Sequence, residues 1–185
     1  MRILLAIANS CPKIGYVQGM NVIASVFLAT NLKDSEVFWL IRYVLHKKKF
    51  EEILLDGFPR VQLLNYQLDV YARIYLPELI TYLTGKEINV SYFATQWFIT
   101  MFAYDLNYSH IIKIWNFFFI KSWKMLIRVA LSLLWHFKDR ICKQSVDELP
   151  EFLKTCLREN IGDIPEVTKK LSFLINFLPR MNCLR

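Results

Sequence analysis

A chain of 185 residues that is 55% hydrophobic and 15% aromatic is long enough for one substantial domain and short for two, with ample apolar surface for a large core. Only 6 prolines and 5 glycines exclude the many turns of a β-sandwich or barrel and favour long helices joined by short connections. The formal net charge of +7 comes without any nucleic-acid-binding motif, so nucleic acid is not expected as a partner.

In chain order, Arg2 to Ser10 reads as a short apolar helix with no upstream cap signal, as expected of the cut edge of a longer domain. Cys11-Pro12 ends it. Ile14-Gly15-Tyr16-Val17-Gln18-Gly19-Met20-Asn21 follows, and a helix is predicted from Asn21 to Thr30. The two glycines suit a tight loop whose backbone comes close to another surface. Two readings stay open on the residues alone. One is an interhelical turn with a capping polar side chain. The other is a loop that feeds a helix N-terminus, with unpaired N–H groups facing an anionic target.

Asp34 and Glu36 mark the next helix start, with Val37, Leu40, Ile41, Val44 and Leu45 on one face and a basic close from His46 to Lys49. Gly57-Phe58-Pro59 is a break. Val61, Leu64, Leu68 and Tyr71 then recur at helical spacing, and Pro77 opens a shorter helix ending near Gly85. Residues 91–102 are apolar on most sides and belong in the middle of a bundle. Further helices run from Ser109 through Ile111, Ile114, Trp115 and Phe118, and through Leu126, Val129, Leu133 and Phe137. Asp147 is expected to cap a helix holding Pro150 in its first turn. Asp163 with Glu166 resembles a capping box before Ile164, Val167, Leu171, Leu174 and Leu178. No linker or repeat divides the chain, which reads as one all-α domain of nine or ten helices.

The mean hydropathy of +0.27 raises a membrane reading. The long charge-free runs, residues 14–32 and 88–104, carry too many Gly, Asn, Gln, Ser and Thr residues to sit in hydrocarbon, so they are core helices. Cys11, Cys142, Cys156 and Cys183 form no C-x-x-C pair and read as reduced thiols in an intracellular chain. His46, His110 and His136 are scattered, and no metal site is expected. Clusters at Lys47, Lys48 and Lys49, at Lys121, Lys124 and Arg128, and at Lys138, Arg140 and Lys143 are solvated faces. They could also attract an acidic partner or an anionic membrane.

Several of these segments resemble one family in the same order. The glycine loop is similar to the glutamine-finger motif of TBC-domain proteins, GTPase-activating proteins for Rab-type small GTPases. Residues 91–102 resemble that family's Ser/Tyr-aromatic-Trp-Phe segment. Ile114-Trp115-Asn116 and Arg128-Val129-Ala130-Leu131 resemble its Ile-Trp-Asp and Arg-x-Ala-Leu segments. Val17 stands where a cysteine is frequent, and Asn116 where an Asp is. The resemblance spans Leu4 to Leu157. It implies a GTP-bound Rab-type GTPase as partner, with GTP and magnesium belonging to that partner and no cofactor of the chain's own. It further implies a cytoplasmic place, open to peripheral association with endomembranes.

By the same resemblance Gln18 is a catalytic finger that positions the hydrolytic water, and Tyr16 orients the loop or packs in the core. Gly15, Gly19, Met20, Asn21, Ser91 and Gln96 are expected at the partner surface, where Ser91 and Gln96 are equally explained as satisfied polar groups in a bundle. The family also supplies an arginine finger in an Ile-x-x-Asp-x-x-Arg segment, expected upstream of Met1. Ile53-Leu54-Leu55-Asp56-Gly57-Phe58-Pro59-Arg60 comes close to that spelling, but its arginine is one residue late and the segment follows the glutamine. The whole of 1–185 is therefore expected to be a partial domain, weak or inactive alone. A non-catalytic Rab-binding scaffold is the alternative, and a membrane-binding helical adaptor a third possibility.

Overall fold

The computed structural model describes residues 2–121 and 123–159, and among them there are ten helices and no strand. They are α1 (Arg2–Ser10), α2 (Met20–Leu28), α3 (Asp34–Lys47), α4 (Glu51–Leu54), α5 (Pro59–Tyr75), α6 (Pro77–Gly85), α7 (Ser91–Ile99), α8 (Tyr108–Lys121), α9 (Lys124–Ile141) and α10 (Leu149–Glu159). None of the described helices is long and apolar enough to cross a membrane.

Prolines set two of the starts. Pro59 and Pro77 occupy the first turns of α5 and α6, where a missing N–H costs little. At α3, Glu36 reaches back to accept from the Lys33 N–H at 2.8 Å. Residue 147 is not the cap of α10. The helix begins at Leu149, and Glu148 closes the preceding turn by accepting from the N–H and Oγ of Ser145. The expected capping box at Asp163 and Glu166 and the apolar stripe after it lie outside the described residues, as does Cys183.

Residues 91–102 do not form one helix. α7 stops at Ile99, and the chain turns through Met101 at φ 50° and Phe102 at φ 65°. The Phe102 N–H donates to Trp97 O at 2.8 Å and the Met101 N–H to Phe98 O at 3.3 Å, the paired bonds of a Schellman close. Glycine is the usual residue at that left-handed position. With methionine there, nothing local in the sequence marks the end. Glu87 ends α6 the same way, at φ 58°, with Ile88 N–H donating to Leu83 O.

Helix α9 is the spine of the core. Leu126, Ala130, Leu134 and Ile141 are fully buried along it, and α9 packs against α5, α7 and α8. Trp97 and Trp115 are enclosed, and the Trp115 indole N–H donates to Met101 O at 2.9 Å. Around this body α1, α2 and α3 pack on one another. Not every aromatic is core: Trp39, Phe58 and Phe117 are exposed.

Candidate functional site

The glycine loop is built from its two ends. Cys11, closing α1, accepts from the N–H groups of Ile14 and Gly15, both at 3.0 Å, and this turns the chain sharply after Pro12. Gly15 at φ +62° and Gly19 at φ +105° then take left-handed backbone that L side chains rarely adopt. At Gly19 there is a second constraint, because a Cβ would lie 3.3 Å from Ile99 Cγ2. The loop thus rests directly on the C-terminal end of α7.

Inside the loop, three backbone donors are spoken for. Val17 N–H points to Met20 Sδ at 3.3 Å, Gly19 N–H donates to Asn21 Oδ1 at 3.2 Å, and Met20 N–H donates to Val17 O at 3.2 Å. The idea of an open N–H cradle for an anion at the start of α2 is therefore corrected at these three groups. What the loop offers outward is side chains. Gln18 is exposed, Tyr16 is 56% exposed, and neither the Gln18 amide nor the Tyr16 hydroxyl makes a hydrogen bond within the described residues. Tyr16 is not a core residue.

The expected partner residues separate. Asn21 is exposed and braces the loop through Gly19. Met20, expected at the partner surface, is only 4% exposed and shapes the loop from beneath. Gln96 is exposed one turn before the Gly19 contact, and its carbonyl accepts from the Thr100 N–H and Oγ1. Ser91 is different. It starts α7, its N–H is capped by Asn89 Oδ1 at 2.9 Å, and its carbonyl receives the Thr95 hydroxyl. Five residues along a helix turn by about 140°, so Ser91 and Gln96 do not share a face. The seat of Gly19 on Ile99 brings the loop to the end of α7 nearer Gln96, whereas Ser91 starts the helix at its other end.

One brace has no counterpart in the sequence reading. His46 Nε2 lies 3.5 Å from Cys11 Sγ while its Nδ1 lies 3.2 Å from Glu51 Oε2, tying the base of the loop to α3 and α4. These residues are 35 and 5 apart in the chain, and no spacing motif announces them. In the basic cluster after α3, Lys48 Nζ donates to Phe119 O at 2.6 Å, so the middle lysine is a structural tether and not a free surface charge. No group of His, Cys, Asp and Glu among the described residues is arranged to hold a metal.

A family model described as Rab-GTPase-TBC domain matches residues 1–142. The chain belongs to this family. Among TBC relatives, the chain is 32% identical over 143 residues to the GTPase-activating protein GYP5 of Saccharomyces cerevisiae, covering 77% of the chain and 16% of the relative. It is 28% identical over 185 residues to human small G protein signaling modulator 3, covering 97% of the chain and 23% of that protein. The Chlamydomonas flagellar RabGAP TBC domain superposes with a TM-score of 0.74 at 26% identity, covering 84% of this chain and 52% of that one. The Ypt/Rab-GAP domain of Gyp1p reaches 0.81 at 16% identity, over 96% and 65%, and so speaks for the fold. This chain spans less than a quarter of the length of the two curated relatives.

Proposed function

We propose that the chain is part of a GTPase-activating protein for Rab-type small GTPases and that Gln18 acts in trans on the partner's bound GTP. The observation that carries this reading is the projection of an unpartnered Gln18 amide from a loop whose backbone is fixed at both glycines and against Ile99. Hydrolysis of GTP requires a water aligned behind the γ-phosphate and positive charge where negative charge develops. A side-chain amide can accept from that water through its oxygen and donate through its NH₂. It does not titrate, so its contribution is positioning, and a rigid loop is what positioning needs. GTP and magnesium belong to the partner, and the chain brings no cofactor of its own.

The 185 residues hold no Ile-x-x-Asp-x-x-Arg segment, and charge supplied by such an arginine is worth about 10³–10⁵ in rate. The chain alone is therefore expected to stimulate hydrolysis weakly. The decisive measurement is single-turnover GTP hydrolysis by a panel of Rab-type GTPases, using a longer protein that supplies the arginine. Gln18→Ala should lower the stimulated rate about a hundredfold or more, by analogy with removal of one oriented donor elsewhere. Equal rates for wild type and Gln18→Ala would instead assign the loop to a non-catalytic binding scaffold.

A further inference from the structure

Helix α7 has an outward face that Gln18 chemistry does not use. At about 100° per residue, Tyr92, Gln96 and Ile99 lie within about 60° of one another. The buried Phe93, Ala94, Trp97 and Phe98 occupy the other side. Ile99 is the residue on which Gly19 rests, at 3.3 Å from where a Cβ would sit. The glutamine loop therefore covers the end of this outward face. Tyr92 stands on the same face two turns away, about 10 Å along the axis at the rise of a helix, with Gln96 between.

Two features make Tyr92 more than an exposed aromatic. Tyr92 is 64% exposed on a helix whose other side is buried, and neither its hydroxyl nor the Gln96 amide is bonded within the described residues. All nine residues of α7 are uncharged, in a chain of net charge +7. Tyr92 and Gln96 thus share an uncharged strip of α7 that ends where Gly19 seats the glutamine loop. Such a strip suits an uncharged, partly apolar protein surface, because tyrosine supplies rigid contact area at low entropy cost and charged residues are depleted at interface centres.

We propose that Tyr92 is a second anchor for the GTPase, which lays an uncharged surface across Gln96 while receiving Gln18. The inference rests on the GTPase reading of that loop. Tyr92 is too far from the glutamine loop to touch the reacting phosphate, so it acts on binding and not on the chemical step.

The test is the dissociation constant of the 185-residue chain for Rab-type GTPases loaded with a non-hydrolysable GTP analogue. Tyr92→Ala and Tyr92→Ser should each weaken binding about tenfold or more, as truncation of an anchoring tyrosine does. Tyr92→Phe should bind like wild type. Trp39→Ala, on α3 and also 64% exposed in the native chain, should leave affinity unchanged. Because the Tyr92 side chain is exposed, thermal midpoints should not move. Wild-type affinity in both truncated variants overturns the anchor and leaves the GTPase reading standing. Equal losses from Tyr92→Ala and Trp39→Ala also overturn it. A wild-type chain that binds none of the GTPases removes the anchor and the underlying reading together.

Discussion

Two of the connections that use left-handed backbone do so for opposite ends. Between α1 and α2 the positive φ values fall on Gly15 and Gly19, and the side chains between them, Tyr16 and Gln18, face solvent. After α7 they fall on Met101 and Phe102, both fully buried. Glycine makes the first connection conformationally inexpensive, so its geometry needs little packing and its side chains are left for a partner. The second connection holds an unfavourable backbone by burying Phe102 against Trp97 and Phe98 and by accepting the Trp115 indole N–H at Met101 O. A turn of the first kind displays, and a turn of the second kind closes a core.

The largest effect expected from this contrast is on stability. Phe102 stacks on Trp97 at 5.7 Å and meets Phe98 edge-on at 6.4 Å. Phe102→Ala should cost about 3–5 kcal/mol, the range for emptying a buried aromatic site, and should strain the same backbone without the packing that offsets it. Urea unfolding measures it. A loss below about 1 kcal/mol would mean that the turn is not held by its side chains, and the contrast with the glycine loop would fail.

The same contrast explains how far the sequence could be read. α1 and the start of α6 are legible to the residue because Pro12 and Pro77 are local signals that need no tertiary context, whereas the left-handed close of α6 falls on Glu87 and not on Gly85. α7 reads three residues too long because Met101 carries no mark of a left-handed close. The Gln18 loop was legible through its glycines and its family resemblance. Ser91 was placed beside Gln96 by motif membership, which carries no angular information, whereas the period of 3.6 residues pairs Gln96 with Tyr92 instead. Met20 lies inside the motif but under the loop. The Cys11–His46–Glu51 brace joins three elements and has no sequence signature at all.

A second prediction concerns charge in the buried turn. Asp105 is 6% exposed, and burial pushes its carboxyl up to about 6, against the opposing pull of Arg158 and Lys154. The fold therefore favours the protonated form. Stability from this group is fully present below the ordinary carboxylate range and is lost as pH rises through about 6. Asp105→Asn should accordingly raise stability at pH 7.5 by on the order of 2 kcal/mol, with the gain vanishing near pH 4. Unfolding midpoints at the two pH values decide it. A gain of equal size at both would assign the effect to packing and not to the carboxylate.

The smallest effect lies in the display loop and separates its two glycines. Nothing lies within 4 Å of a Cβ built on Gly15, so Gly15→Ala meets only the backbone penalty of φ +62°, about 1 kcal/mol. Gly19→Ala meets that penalty at φ +105° and also Ile99 at 3.3 Å, so it should destabilise more and displace the loop from α7. Asparagine tolerates left-handed backbone, so Gly15→Asn should recover part of the Gly15→Ala loss, whereas Gly19→Asn should recover none because the contact remains. If both asparagine variants behave alike, the loop is held by its conformation alone, and its seat on Ile99 does not fix where Gln18 points.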